Sequence, residues 1–422
     1  MYDVTVVGAR CAGSPVAMLL ARAGYRVLLL DKARFPRDKL SSHYIHQPGV
    51  ALLDRWGLLE QVRQTGCPRL DRVSYEAPGV RLDGCSPPVD GHREAYAPRR
   101  FLLDPILAAA AVAAGAEFRE QCTVSGLVFD GDRVAGVRCR SARGAETVER
   151  SALVIGADGM RSPVARLVGA RTTVEHPPVT CTYYSYWEGL PAHFELYERP
   201  GRWIGVIPTN ADRTLVMAYF PQAEFGEVRR DARSAFVGAV RSTAPELDER
   251  MSGAEQAERF YGTGEQLNYF RQAAGPGWAL VGDAAHHKDS IAARGITDGF
   301  LQAQLLVDRI GAQLHGRTGL DRALRRYDHD LEDRFLDFYR STLTVAELRV
   351  PETRMALLRA IAGHQDLVDR YFGTLSGACE LDDFYSAELL ELVGPPESRR
   401  PDAHERPRPR ALLGERAKRG TA

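Results

Sequence analysis

Three histidines and one lysine stand beside glycine-rich turns, where they can do chemistry. His287 and Lys288 follow Gly282-Asp283-Ala284-Ala285-His286, and His43 and His46 lie in the loop after Asp31. Lysine is rare: Lys32, Lys39, Lys288 and Lys418 are the only four. An ammonium beside a pocket can hold an anion or a phenolate, and a histidine of near-neutral pKa can take a phenol proton. His46, His287 and Lys288 are therefore the candidate catalytic groups. The plain alternatives are a surface pair of Lys288 with Asp289 and a solvated loop for the two histidines. The seven cysteines are odd in number and show no CxxC spacing. That favours reduced thiols in a cytoplasmic protein over a disulfide framework or a zinc site, and no metal is expected.

These groups need a scaffold, and the first stretch supplies it. Val4-Thr5-Val6-Val7 reads as a buried strand, Ser14 to Ala23 as an apolar-periodic helix, and Tyr25 to Leu30 as a second strand ending on Asp31. Gly8 and Gly13 frame the turn between strand and helix, as in a dinucleotide fingerprint. Gly8 allows a sharp turn and Gly13 a close helix–strand approach, and the helix N-terminus then faces a pyrophosphate. Asp31 stands 31 − 13 = 18 residues past Gly13, where a carboxylate can accept from a ribose. The middle position of the fingerprint is Arg10 rather than glycine.

Further along, Gly49 to Val62 reads as one amphipathic helix. Arg100 opens another helix, against the local dipole; its partner is either a phosphate or flavin, or a surface carboxylate. Ala152 to Ile155 is a buried strand followed by the Asp158-Gly159 turn and a helix capped by Ser162. Residues 174–270 change character, with VTCTYYSYWEGL, RWIGVIPT and RTLVMAYFP reading as a sheet. Tyr184 and Tyr186 share one face there; Tyr183, Ser185 and Trp187 share the other. Tyr184, Tyr186, Trp203 and Tyr219 form either a wall for a flat ligand or ordinary sheet core. Trp278 to Val281 is a strand, and a long helix starts at Gly295-Ile296 with a second anion-ready N-terminus. Asp321 to Glu391 is helical in pattern, and the proline- and arginine-rich tail after Pro395 reads as disordered.

The fold class that follows is α/β: a Rossmann-like first domain with an inserted mixed β-sheet and a C-terminal helical extension. The first domain takes 1–80, 97–173 and 271–335. The sheet domain takes 81–96 and 174–270, the helical region 336–395, and the tail 396–422. The chain has 422 residues, 44% of them apolar, and a formal net charge of zero. Nothing there suggests a nucleic-acid partner, and no apolar run reaches the length of a membrane span.

Three motifs in one order carry a resemblance: Gly8–Gly13, Asp158-Gly159 and Gly282-Asp283-Ala284-Ala285-His286. Together they resemble the FAD-dependent aromatic hydroxylases, single-component flavoprotein monooxygenases of the para-hydroxybenzoate hydroxylase-type fold. The run GARCAGSPVAMLLARAGYRVLLLDKARFP is similar to a bacterial subgroup of FAD-dependent oxidoreductases. The resemblance implies that Gly8, Ala12 and Gly13 hold the FAD pyrophosphate and Asp31, with Lys32 beside it, the adenosine ribose. It implies cofactor contacts for Arg100, Val124, Asp158, Gly282 and Asp283, and places the N–H groups of Gly295 and Ile296 at the flavin's N1–C2 edge. It further implies NAD(P)H as a transient reductant and O2 as co-substrate, with oxygen passed to a small organic, aromatic or polyketide-like molecule from a flavin C4a-hydroperoxide. The assembly expected is a monomer or homodimer. Where the family usually has prolines, this chain has His287-Lys288-Asp289-Ser290. Rival readings are a flavin-dependent reductase of isoprenoid double bonds, a flavin halogenase and a non-catalytic flavin carrier. The halogenase pattern has two tryptophans before Ile-Pro; Trp203-Ile204-Gly205-Val206-Ile207-Pro208 has only the first.

Overall fold

The computed structural model describes residues 1–39, 41–387, 389 and 392; the expected disordered tail lies outside them. Tyr2–Val7, the helix Gly13–Arg22 and Val27–Leu30 form the parallel β-α-β unit read from the sequence. Glu146–Gly156 pairs in parallel on the other side of Tyr2–Val7, and Trp278–Leu280 pairs in parallel beyond it. Val4, Val6, Val27 to Leu30, Leu153 to Ile155, Ala279 and Leu280 are almost wholly buried, as expected for the parallel part of a sheet covered on both faces.

A second sheet runs in the order Glu255–Gln256, Thr180–Glu188, Arg213–Pro221, Arg202–Thr209, Phe194–Arg199, Val73–Ala77 and Val80–Gly84. Tyr184, Tyr186, Trp203 and Tyr219 sit in one apolar core, while Tyr183 and Trp187 sit in the core on the opposite face. The second core is closed by helices between Phe225 and Ser252. Val73–Ala77, on the first-domain side of the expected boundary at 80, belongs to this sheet. It pairs in parallel with Phe194–Arg199 and buries Val73 and Tyr75 there. The chain therefore enters the second sheet at Val73, before the expected boundary.

The single helix expected over Gly49 to Val62 is two, Gln47–Arg55 and Leu59–Arg63. Gly57 separates them with a φ of 72°. The C-terminal extension is helical as read, with Arg317–Ala346, Glu352–Ile361, Gln365–Ser376 and Leu381–Phe384. The first of these crosses the expected boundary at 335. Leu320 to Tyr339 pack on the first core and Ala346 reaches the second.

The fingerprint turn makes the closest backbone approach of any glycine among the described residues. A Cβ on Gly13 would lie 1.8 Å from the Gly8 carbonyl oxygen, and one on Gly8 would lie 2.3 Å from that of Ala157. Gly8 also holds a φ of 105°. Arg10 is accommodated because its side chain leaves the turn and pairs with Asp104 at 2.5 Å. Gly13→Ala should therefore destabilise the fold by on the order of 2 kcal/mol or more, and abolish the flavin binding that the resemblance implies. Denaturant melts and the flavin absorbance of the purified variant check both.

Candidate active site

Three turns meet at the C-terminal ends of the parallel strands. The first is the fingerprint turn, whose helix has no side-chain cap. Asp31 stands beside it and accepts from the backbone N–H groups of Ala9 at 2.9 Å and Ala33 at 2.8 Å. These bonds fix the carboxylate at the strand tip. The second turn carries Asp158, which accepts from the Val164 N–H at 3.0 Å. Its Oδ1 is buried without a partner, and burial pushes its pKa up against the pull of Ser162 and Val164. The third turn is Gly282-Asp283, where a Cβ on Gly282 would meet Ala12 at 2.8 Å. Asp283 is exposed.

These residues fit a dinucleotide flavin. An uncapped helix N-terminus, an orphaned buried carboxylate oxygen and an orphaned Nη2 on Arg10 all remain to be satisfied. Arg100 is not in a surface salt bridge. It is partly buried and grips Asp104 at 2.8 and 3.1 Å. Its cationic form is strengthened, despite burial, by Cys11, Asp104 and Asp283. Asp104 thus holds both Arg10 and Arg100 from a wholly buried position. Val124 contributes a buried side chain to the first core.

The loop after Gly282 is anchored to the second sheet. Asp289 accepts from the Thr180 hydroxyl at 2.7 Å and from the Ile291 N–H at 3.1 Å. Tyr219 meets the Ser290 hydroxyl at 3.0 Å. Lys288 is neither at the surface nor paired with Asp289. It is buried and bonds Asp298, whose other oxygen takes Arg294 at 3.0 and 3.2 Å. Both cations also face the Phe338 ring. Burial alone would raise the Asp298 pKa, but Lys288 and Arg294 hold it well below the usual carboxylate range. The helix Gly295–Ile310 starts here, and its N-terminus also lacks a side-chain cap.

His287 is separated from Lys288 by strand alternation. Its ring stacks on Tyr269 and its Nδ1 meets the Leu267 carbonyl, away from the buried face that holds His286 and Lys288. His46 is buried and tied through Nε2 to the Ala292 carbonyl at 3.3 Å. Burial and Arg294 push its pKa down to about 3, so it is a neutral tether and not a near-neutral base. His43 is in closer contact with the sheet than His46. Its Nε2 lies 2.6 Å from the Tyr186 hydroxyl, its Nδ1 is buried without a partner, and its φ is 62°. A left-handed histidine costs on the order of 1 kcal/mol or more, and such strain concentrates at functional sites. Tyr186 carries the Arg99 guanidinium 4.0 Å above its ring, and Arg99 is itself paired with Asp38 and Glu258. Trp203 packs against Tyr75, toward the C-terminal helices.

Sequence reading did not single out Asp104, Arg99, Arg294 or Asp298. Their partners come from distant parts of the chain or from the far side of a turn. The one available signal was spacing: Arg100 with Asp104 and Arg294 with Asp298 each stand four apart on a helix.

Residues 1–338 match the FAD binding domain family. The chain belongs to that family and is an FAD-dependent oxidoreductase. A 6-methylpretetramide 4-monooxygenase of Streptomyces rimosus is 29% identical over 364 residues, which cover 84% of this chain and 81% of that protein. A digeranylgeranylglycerophospholipid reductase of Methanosarcina mazei is 28% identical over 304 residues, covering 70% and 71%. The solved structure of the myxobacterial chondrochloren halogenase CndH has the same fold, with a TM-score of 0.75 at 22% identity over 93% of this chain and 95% of that one. No helix among the described residues is long and apolar enough to cross a membrane.

Burial pushes the Asp289 pKa up to about 6 from 3.8. The folded chain then holds a proton that the unfolded chain has released, so this group lowers stability as pH rises from 3.8 through about 6. Asp289→Asn keeps an acceptor for Ile291, and its amide N–H donates to Thr180 Oγ1 once that hydroxyl, the donor in the native bond, rotates away. It should gain on the order of 2 kcal/mol at about pH 8 and nothing at about pH 4, read from melts at the two pH values.

Proposed function

We propose that this chain is a monooxygenase that uses NAD(P)H and O2 to hydroxylate or epoxidise a small aromatic or polyketide-like molecule. The observation that carries the reading is the position of the aromatic sheet face. Tyr184, Tyr186 and Tyr219 form one buried core with Ile291 and Ala293, from the loop that follows Gly282-Asp283. A substrate held there lies against the cofactor and away from water. The similarity to the 6-methylpretetramide monooxygenase supports the same reading.

The roles proposed follow the geometry. Gly8, Ala12 and Gly13 leave the helix N-terminus free for the pyrophosphate, and Asp31 is fixed to accept from the ribose, with Lys32 next to it. Asp158 and Arg100 would hold the cofactor, and Gly282 lets the third turn close on Ala12. Asp283 accepts from the ribityl chain. Gly295 and Ile296 present N–H groups to the ring. Lys288, Arg294 and Asp298 keep one net positive charge behind that N-terminus, which favours negative charge on a ring bound there. FAD, when bound, supplies electron transfer from NAD(P)H and activation of O2. His43 is the group best placed to touch substrate, because one nitrogen is committed to Tyr186 and the other has no partner. Tyr184, Tyr219 and Trp203 provide the apolar wall.

A second reading, reduction of an isoprenoid double bond, has one observation in its favour. An apolar slot lies beside the histidine loop, lined by Leu70, Val73, Phe194, Phe372 and Leu375. Oxygen decides between the two. A monooxygenase consumes O2 and NAD(P)H together when substrate is present, whereas a reductase saturates its substrate without oxygen uptake. Oxygen-independent product in an electrode assay would overturn the first reading.

Asp283→Ala should weaken FAD binding by about 1.5–3 kcal/mol, the value of a hydrogen bond to a charged group. Titration of the apoprotein with FAD measures it.

A further inference from the structure

The C-terminal extension reaches the cofactor loop at one point, the Arg294 guanidinium. Arg294 and Lys288 share Asp298, and all three side chains are 6% exposed or less. The helix Arg317–Ala346 sets the centre of the Phe338 ring 4.2 Å from the guanidinium carbon and 5.2 Å from the Lys288 ammonium. The helix Gln365–Ser376 ends on Gly377, whose φ is 80°. A Cβ there would overlap Nη1 of Arg294 and lie 2.8 Å from Nη2 and 2.9 Å from Cζ. Glycine takes this left-handed φ freely and lets the end of the helix seat on the guanidinium.

The charges in this sealed space do not balance. Two cations meet one carboxylate, which leaves one positive charge away from water. His286 lies on the same buried face, where burial holds it neutral. The Asp283 carboxylate also acts on Lys288, but it is exposed and acts on Arg100 as well. Nη1 of Arg294 is buried and bonds nothing. A buried cation without its own counter-ion is costly, and Asp298 with Arg294 alone would be neutral. The extra charge suits an anion that the cluster itself does not supply.

We propose that the Lys288–Asp298–Arg294 cluster, sealed by the C-terminal helix at Gly377, sets the reduction potential of the bound FAD. The proposal deepens the reading above and rests on its placement of FAD. Hydride passes from NAD(P)H to the flavin as two electrons and one proton, and leaves the reduced ring with one negative charge. A fixed buried cation stabilises that form over the neutral oxidised one, and it does so more strongly where water is excluded. Gly377 and Phe338 are therefore positioning residues: they keep the charge dry without touching the cofactor.

The test is the midpoint potential of the bound FAD, measured without substrate or oxygen against a reference dye. Lys288→Met removes the extra charge and should lower the reduction equilibrium about tenfold, which is about 30 mV for a two-electron couple. Lys288→Met combined with Asp298→Leu removes a cation together with an anion and leaves Arg294 as the single charge. This double variant should return toward the native potential. A cluster that is merely structural predicts the reverse, with the double variant more perturbed than the single one. Gly377→Val should shift the potential in the same direction as Lys288→Met, because it lifts the helix end and admits water. No shift in Lys288→Met overturns the proposal. So does a double variant that stays at the potential of the single one, or an unchanged potential in Gly377→Val. Should Gly377→Val fail to fold, Phe338→Ala opens the same cover from the other helix and is read in the same way. Should Lys288→Met lose its flavin, Lys288→Gln makes the same change of charge. A native protein that retains no FAD overturns the underlying reading instead, and its flavin absorbance shows this before any potential is measured.

Discussion

The site depends on three backbone turns packed closer than side chains permit. Gly8 lies against the Ala157 carbonyl, Gly13 against Gly8, and Gly282 against Ala12. Each turn ends a parallel strand, and parallel strands place their C-terminal loops on one side. The contact joins residues about 150 and 270 positions apart into one ligand cradle. Its cost is a set of helix ends and carboxylate oxygens without protein partners, which is what a bound dinucleotide can satisfy.

Buried carboxylates organise the charge around that cradle. Asp104 holds Arg10 and Arg100, and Asp298 holds Lys288 and Arg294. Pairs of this kind add little net stability over an apolar core, but removing one partner leaves a buried charge and costs about 3–5 kcal/mol. They therefore fix geometry. Asp104 explains how an arginine can stand in place of the fingerprint's middle glycine. Asp298 explains how lysine can replace the stiff proline turn: the loop is held by an ion pair, by Thr180 and by Asn268 instead.

The C-terminal helices are part of the same construction. Arg354 crosses from one of them to Glu198 and Tyr75 in the second sheet. Burial raises the Glu198 pKa, and Arg354 opposes it. This buried group locks the helices on the sheet edge and so walls the slot beside Gln47. The histidine loop is thereby enclosed from two directions, by the sheet and by the helices.

The local signals in the sequence were sufficient for the scaffold. Period, glycine spacing and terminal acids determined the β-α-β unit, the Asp158 turn, the helix at Gly295 and the two faces of Thr180–Glu188, because each depends on residues within a few positions of one another. Family membership was legible from the same motifs. What only the tertiary structure decided were the partners of charged and polar groups. Lys288 faces Asp298 rather than its neighbour Asp289, His287 turns away, and His43 rather than His46 meets the aromatic wall. A side chain's pKa and reach depend on burial and on groups brought in from other elements. No spacing rule carries that information across a fold in which Gln47, Phe194 and Leu375 line one slot.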